Sequence, residues 1–347
     1  MFKKAIYNSN LTECLEIGYF TNETGEIQIE PFNPTTKKVP KVLPTQITSL
    51  QEAFNHNENE FIDGIEYWDI SNITDMSYMF YYANNFNQNI SMWDVSNVVD
   101  MSYMFCWAYK FNQPISNWNV SNVTDMNHMF SWAISFNQPI GSWDVSKVEN
   151  IHGMFQHAEK FNQPIGSWNT SNITNMYSMF DDAKNFNQDL SNWNTSNVTN
   201  MSFMFYGAEK FNQPIGKWDV SKVKTMSYMF SWATSFNQPI GSWNVSDVTD
   251  MCGMFDCATS FNQDISKWDT SNVIDMNAMF YKAKKFNQNI SNWNVLNVEN
   301  MACMFYGAES FNQDISNWDV SQVRYFIHFT VNSNPNWKPE HQPQFKK

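Results

Sequence analysis

Trp93-Asp-Val-Ser-Asn-Val-Val-Asp-Met-Ser-Tyr-Met-Phe-Cys-Trp-Ala-Tyr-Lys-Phe-Asn-Gln-Pro-Ile-Ser-Asn117 is one copy of a unit that fills most of the chain. Its tryptophan returns every 25 residues, at positions 68, 93, 118 and on to 318, with no insertion or deletion. Self-similarity at a fixed period of this length is typical of a solenoid, in which each repeat packs only against its neighbours. The repeat therefore predicts an array of stacked coils.

The apolar pattern changes period within each copy. Trp93 and Val95 alternate with polar residues, which favours a short strand with one buried face. Apolar residues then recur at spacings of three and four, at Val98, Met101, Met104, Phe105 and Ala108. This stripe favours an amphipathic helix that ends at Phe111-Asn-Gln-Pro-Ile115. The sequence thus predicts an α/β fold, a right-handed solenoid with short parallel strands on one wall and short helices on the other.

The ends of the chain depart from the repeat. The turn signal Asn22-Glu-Thr-Gly25 followed by the alternating Glu26-Ile-Gln-Ile-Glu30 predicts a hairpin, and residues 47–54 resemble a degenerate first coil. Open solenoids need such atypical end units because their outermost core layers would otherwise face water. Three regions follow: a capping region at 1–60, a solenoid of ten full repeats plus a partial repeat at 61–329, and a tail that frays at 330–347.

Composition excludes several classes of function. A net charge of −13 disfavours nucleic acid and anionic membranes as partners. No apolar run is long enough for a transmembrane segment, and no signal peptide is visible at the start. The five cysteines are odd in number and lack paired spacing, which indicates free thiols. The six histidines do not all recur at one common position of the repeat and no phosphate loop appears, so we expect no enzyme and no cofactor.

Two polar columns have structural and functional interpretations. The Phe-Asn-Gln triplet, from Phe86 to Phe311, favours a ladder of side-chain amides between coils, with ligand binding as the lesser alternative. Aspartates such as Asp94 and Asp100 could form a calcium ladder. Asparagine replaces them freely, as at Asn119 and Asn150, so turn and capping chemistry is the better explanation. We therefore predict no metal site.

Aromatic residues at variable positions are the candidate binding site. In the helical interpretation these positions point away from the buried stripe and have no structural need for large rings. Exposed aromatic patches usually mark a partner surface, whereas stacking between adjacent elements is the structural alternative. The first candidate group is Tyr78, Tyr81, Tyr82, Tyr103, Trp107, His128, Trp132 and His157, and the second is Phe203, Tyr206, Tyr228 and Trp232.

The repeat resembles that of the BspA-like leucine-rich-repeat surface proteins, and more closely the uncharacterised subfamily abundant in mycoplasmas. The similarity covers about residues 61–329 through Trp-(Asp/Asn)-Val-Ser-Asn-Val, Met-x-x-Met-Phe and Phe-Asn-Gln. It also extends to the flank around Cys14-Leu-Glu-Ile-Gly-Tyr-Phe20. The resemblance implies a leucine-rich-repeat-like parallel solenoid, display at the cell surface, and adhesion or host interaction without catalysis.

These observations favour a non-catalytic binding scaffold that recognises a protein or glycan partner through the aromatic patch. The alternatives are a structural spacer or lattice protein and an intracellular protein–protein interaction scaffold. Family resemblance favours a cell-surface or extracellular location, whereas the lack of a visible signal peptide makes the cytoplasm the alternative. Nothing in the sequence specifies an oligomeric state.

Overall fold

A computed structural model describes residues 1–346. The chain divides into two compact units, residues 1–172 and residues 173–347, and the second is described as far as residue 346. Each unit is built from stacked 25-residue coils that are related by parallel pairing. In the first unit Asp75 pairs with Asp100 and Asp100 pairs with Asp125, and in the second Asn200 pairs with Thr225.

Backbone hydrogen bonds between coils follow an alternating rule. The N–H groups of Met101, Tyr103 and Phe105 donate to carbonyl oxygens 24 residues later, at 2.9–3.0 Å. The N–H groups between and beyond them close tight turns instead: Met104 donates to Met101 at 3.2 Å and Cys106 donates to Tyr103 at 3.1 Å. Every donor of this segment is thus used either within its own coil or by the next coil.

This rule shows that the predicted wall of short helices is wrong. The described residues contain no α-helix, and their helical segments are the 3₁₀ turns Ile65–Tyr67 and Pro339–His341. Successive turns closed by bonds to the third residue back place apolar side chains at spacings of three and four, as a helix does. The apolar spacing is therefore compatible with a helix and with successive turns, and the hydrogen bonds to the next coil show that the segment forms turns.

The predicted wall of strands is also wrong in its position and extent. Trp93 and Val95 form no strand, although both are buried. In the repeats, the β-bridges between coils lie at one residue per coil, Asp100 and its equivalents, and a second short ladder of bridges joins Glu13, Lys38 and Asp63. Asp100 lies in the segment that the sequence predicted as a helix. The parallel arrangement and the repeat solenoid are confirmed, whereas the handedness of the coils stays a prediction.

The core is a set of ring columns. Phe80, Phe105 and Phe130 lie one above another with centroids 5.7 Å apart, and Phe111 lies 3.8 Å from Phe105. The repeating tryptophans pack beside them, and the indole N–H of Trp93 donates to the carbonyl of Ile65 at 3.1 Å. Identical layers in successive coils thus bury identical surfaces, which is how a repeat too small to fold alone is stabilised.

The amide ladder is confirmed between the Asn and Gln columns. The Asn87 side-chain oxygen accepts from the backbone N–H of Asn112 and from Nε2 of Gln113, both at 3.0 Å. The same Gln113 amide also donates to the Asn87 carbonyl at 2.9 Å. Each asparagine therefore satisfies the turn of the next coil, and the triplet is explained without a ligand.

Small strands precede the coils of the first unit. Strands β1 (Phe2–Lys3), β4 (Tyr19–Thr21) and β5 (Ile27–Ile29) form an antiparallel sheet in the order β1-β4-β5, and β2 (Ile6–Tyr7) pairs with β3 (Cys14–Glu16). The β4–β5 hairpin turns at residues 22–25. Phe32, just after β5, stacks on Phe54 at 4.8 Å and covers the first coil.

The C-terminal residues cover the last core layer of the second unit. Trp337 is buried, lies 4.9 Å edge-on from Phe311, and donates its indole N–H to the Gln313 carbonyl at 2.8 Å. Phe345 stacks on Phe326 at 4.6 Å. The part of the predicted tail from 330 to 346 is therefore packed against the coils, while its last residue, 347, lies outside the described residues.

Phe105→Ala tests the ring columns. The side chain is fully buried against four aromatic neighbours, so its truncation leaves a cavity that the rigid stack cannot close. We expect the free energy of unfolding to fall by about 3–5 kcal/mol in urea denaturation. Met92→Ala is the control, because Met92 is 87% exposed and should change the value by less than about 0.5 kcal/mol.

Candidate binding surface

Two residues of each coil have left-handed backbone. The φ angle is +57° at Tyr103 and +64° at Trp107, each the third residue of a tight turn. Positive φ at that position is characteristic of a type II turn. The same geometry recurs in two columns, the 103 column (78, 103, 128, 153, 178, 203, 228, 253, 278, 303 and 328) and the 107 column (82, 107, 132, 157, 182, 207, 232, 257, 282, 307 and 332).

Sequence reasoning missed this backbone requirement, although a signal was present. Left-handed geometry favours glycine and asparagine and is most strained for β-branched side chains. The two columns contain no valine, isoleucine or threonine, and they include Gly153, Gly207, Gly253, Gly307 and Asn332. Ten of the twelve candidate residues lie in the two columns, and Tyr81 and Tyr206 lie outside them.

Rings of the 103 column stack face to face in the first unit. Tyr78 lies 4.6 Å from Tyr103, and Tyr103 lies 4.8 Å from His128. The stack ends at Gly153, where an added Cβ would lie 2.2 Å from the His128 imidazole. A glycine thus ends the stack because the preceding ring occupies the space of a side chain.

Rings of the 107 column form a second and longer stack. His56, from the degenerate first coil, lies 5.0 Å from Tyr82, which lies 4.9 Å from Trp107. Trp107 and Trp132 are 4.4 Å apart, and Trp132 lies 3.8 Å from His157. Tyr81 contacts both stacks edge-on, at 5.3 Å from Tyr78 and 4.7 Å from Tyr82. The structure therefore brings all eight residues of the first candidate group together.

The second candidate group is only partly assembled. Phe203 stacks on Tyr228 at 5.0 Å and contacts Tyr206 at 5.8 Å. Trp232 belongs to the other column and has no ring partner among residues 1–346. Its neighbours in that column are Gly207 and Cys257, and Trp232 is 51% exposed. The group is therefore one three-residue cluster and one isolated indole.

Burial keeps the rings of the Tyr78, Tyr103 and His128 stack uncharged at neutral pH. Desolvation, with the nearby His152 ring second, lowers the pKa of His128 to about 4. Desolvation also raises the pKa of Tyr78 to about 12. The stack of Tyr78, Tyr103 and His128 therefore presents neutral rings with hydroxyl and N–H groups rather than charges.

The tryptophans of the surface differ from those of the core in their hydrogen bonds. Core indoles such as Trp118 and Trp143 donate to backbone carbonyls of the preceding coils at 3.3 and 3.1 Å. Within the described part of the chain, the indole N–H groups of Trp107, Trp132 and Trp232 have no acceptor. These three donors are therefore available to a bound molecule.

The two aspartate columns form turns. Asp94 accepts from the Ser96 N–H at 3.0 Å, and Asp100 accepts from the Ser102 N–H at 2.8 Å. Asparagine supplies the same side-chain oxygen, which explains why it replaces aspartate in both columns. Burial is the main cause that raises the pKa of Asp100, and the carboxylates of Asp75 and Asp125 add to it.

This geometry defines the protein as a repeat solenoid with columns of stacked aromatic rings. The family described as "Mycoplasma protein of unknown function, DUF285" matches residues 48–166, 154–259 and 232–337. The chain belongs to this family. No curated protein matches it in sequence. No helix among the described residues is long and apolar enough to cross a bilayer.

Solved structures similar to the chain include bacterial leucine-rich-repeat proteins. A leucine-rich repeat protein from Eubacterium ventriosum is 12% identical over 95% of both chains, with a TM-score of 0.46. A leucine-rich cell surface protein from Faecalibacterium prausnitzii is 9% identical over 94% of both chains, with a TM-score of 0.34.

Substitutions at Ala278 test the left-handed columns. Its φ of +52° strains an L-residue, and its methyl group makes no ring stack that would offset the strain. We expect Ala278→Gly to raise the free energy of unfolding by about 1 kcal/mol and Ala278→Val to lower it by more than that. Ala302→Gly, at a position without positive φ, should lower it by about 0.5–1 kcal/mol. Equal effects of both glycine variants would contradict the assignment.

Asp100→Asn tests the buried carboxylate. Because the folded-state pKa of Asp100 is raised, its ionised form costs stability at neutral pH, and the cost disappears as pH falls through that pKa. The variant should therefore melt at a higher temperature than the natural protein at neutral pH, with no gain in acid.

Asp144→Asn is the matched control of opposite sign. Hydrogen bonds from Ser146 lower the pKa of Asp144, so its ionised form favours folding at neutral pH, and this contribution is lost as pH falls through the folded-state pKa. This variant should melt at a slightly lower temperature at neutral pH. A gain in both variants would point to net charge rather than to burial.

Proposed function

We propose that the protein is a non-catalytic binding scaffold whose partner, a protein or a glycan, contacts the aromatic rings of the 103 and 107 columns. The observation that carries the proposal is the set of indole N–H donors without acceptors at Trp107, Trp132 and Trp232. These N–H groups are not among the buried unpaired atoms and can reach solvent, and aromatic residues with a polar edge are enriched where partners bind.

The ring faces and ring edges have different roles in this proposal. A non-glycine residue in left-handed geometry costs roughly 1–2 kcal/mol, and a ring stack returns roughly 0.5–1.5 kcal/mol beyond its burial. Stacking of the ring faces therefore offsets the backbone strain where the two columns have aromatic residues. Where the columns have glycine instead, as at Gly153 and Gly207, that strain is absent. The indole N–H groups of Trp107, Trp132 and Trp232 gain no hydrogen bond within the described residues and are available for recognition.

Neutral rings with hydrogen-bond donors suit partners that offer acceptors and apolar patches. Folded protein surfaces and saccharides both meet this description, whereas polyphosphates are disfavoured by the net charge of −13. Surface display with adhesion or host interaction is the setting that we propose, supported by the family resemblance, and the cytoplasm is the alternative. Protease treatment of intact cells, followed by detection of the protein, distinguishes the two locations.

A structural role is the second candidate, and the stacking distances favour it. Rings 4.4 Å apart at Trp107 and Trp132, and 3.8 Å apart at Trp132 and His157, are ordinary stabilising contacts between coils. A spacer or lattice protein, or an intracellular interaction scaffold, could use the same coils without any partner on the rings.

Replacing Tyr82, Trp107 and Trp132 together by glycine separates binding from structure. Glycine is the residue that the same column has at 207 and 307, so the backbone geometry is retained. We expect at least a tenfold loss of binding on printed arrays of glycans and extracellular proteins, with a melting temperature within a few degrees of the natural protein.

The control replaces Tyr67 and Tyr325 by serine, because both are exposed and lie outside the 103 and 107 columns. It should leave binding unchanged. Unchanged binding by the triple glycine variant, together with a large fall in its melting temperature, would instead support the structural role.

A further inference from the structure

We propose that the groove beside Trp232 binds an anionic oligosaccharide, with one sugar ring seated on the indole face. This inference rests on the proposed binding function and adds to it a site in the second unit and a chemical class of ligand. The groove has a volume of about 550 Å³, within the range of about 300–1,000 Å³ that is typical of ligand sites. Its lining includes Trp232 at one end, Tyr306 at the other, and Lys282 and Lys284 between them.

The groove exists because a ring is missing from the column. In the first unit each indole of the 107 column has a ring on the following coil, as Trp107 has Trp132 at 4.4 Å. The coil after Trp232 offers Cys257 instead, a small side chain that is itself buried. One face of the Trp232 indole therefore opens on the space that a ring occupies elsewhere in the same column.

A pyranose ring suits this space. The C–H face of a sugar packs on an aromatic ring, while its hydroxyl groups need donors and acceptors around the edge. The indole N–H of Trp232 has no acceptor among the described residues, and the hydroxyls of Thr234 and Thr259 line the groove. Both hydroxyls donate to backbone carbonyls over a long distance of 3.5 Å, and both oxygens keep accepting capacity.

Charge in the groove favours an anionic sugar. Two lysines of one coil, Lys282 and Lys284, line it in a chain whose net charge is −13. Lys284 pairs with Glu309 at 3.2 Å, whereas Lys282 makes no ion pair within residues 1–346, and the Asp256 carboxylate interacts with it only at longer range. The Lys282 ammonium lies 5.2 Å from the Tyr281 ring centroid, and its stem covers Gly307. A carboxylate or sulfate on the sugar would form the ion pair that Lys282 lacks.

The length of the groove favours several sugar rings. Trp232 and Gly307 are separated by three coil steps, which corresponds to about 14 Å at the 4.7–4.9 Å spacing of paired strands. At the far end the Tyr306 hydroxyl accepts from Nδ2 of Asn332 at 3.2 Å, and Tyr306 stacks on Tyr281 at 4.8 Å. The two ends thus offer an indole face and a hydrogen-bonded phenol, with the lysines between them.

An extended peptide fits the groove less well. Peptides that bind along parallel coils or sheets pair with unused backbone groups. Here the N–H groups of Trp232, Cys257 and Lys282 already donate to the next coil, at 2.7, 2.7 and 2.6 Å. Recognition must therefore come from side chains, which is the mode that saccharides use.

Calorimetric titration of the full chain with a hyaluronan hexasaccharide tests the proposal, with neutral chitohexaose as the comparison. We expect the uronate oligosaccharide to bind and the neutral one to bind at least tenfold more weakly. Trp232→Gly, which keeps the geometry of Gly207 and Gly307, should weaken binding at least tenfold, and so should Lys282→Gln. Lys285→Gln is the matched control, because Lys285 is exposed on the same coil but outside the groove.

Cys257→Trp tests the site by filling the groove rather than by removing a side chain that contacts the ligand. It recreates the Trp107–Trp132 arrangement, so the new indole should fill the groove, abolish binding and leave the melting temperature unchanged or higher. Equal binding of both oligosaccharides, or full binding by Trp232→Gly or Cys257→Trp, would overturn the proposal. If the hexasaccharide fails to bind while the triple variant of the first unit loses an array partner, this inference falls and the proposed function stands.

Discussion

Alternating hydrogen bonds between coils are the constraint on which the rest of the structure depends. Where Met101, Tyr103 and Phe105 donate to the next coil, the intervening N–H groups must close turns within their own coil. That division excludes a helix, whose donors all stay within one segment. It also imposes left-handed backbone on two residues per coil, and thereby determines where the rings of the candidate surface lie.

Much of the fold could be predicted from sequence because identical residues in successive coils leave few arrangements. The core positions of Trp93, Met101 and Phe105, the parallel relation between coils and the amide ladder all follow from the period and the residue types. The wall elements could not be predicted correctly, because apolar spacings of three and four arise from a helix or from successive turns. Only the glycines and the missing β-branched residues at positions such as 153 and 207 distinguish the two.

The sequence indicated which residues form the candidate site better than it indicated how their rings are arranged. The first group is a continuous set of stacks, so its rings offer edges rather than faces to a partner. In the second group, Trp232 is the residue whose face is open, because the next coil has Cys257 in place of a ring. No pattern in a single repeat reveals this difference, since it depends on which residues follow one another in one column.

The uniform backbone hydrogen bonding between coils also has a consequence for the evolution of such a chain. Within each unit, the backbone N–H groups of one coil donate to carbonyl oxygens of the next coil with the same geometry. The N–H groups of Met101 and Met226, for example, donate to the carbonyls of Asp125 and Asp250, both at 3.0 Å. Any coil can therefore follow any other without loss of a backbone bond. Recombination between copies of the repeat could add or remove whole coils while it brings new side chains together in the columns, so that surface variety arises without a new fold.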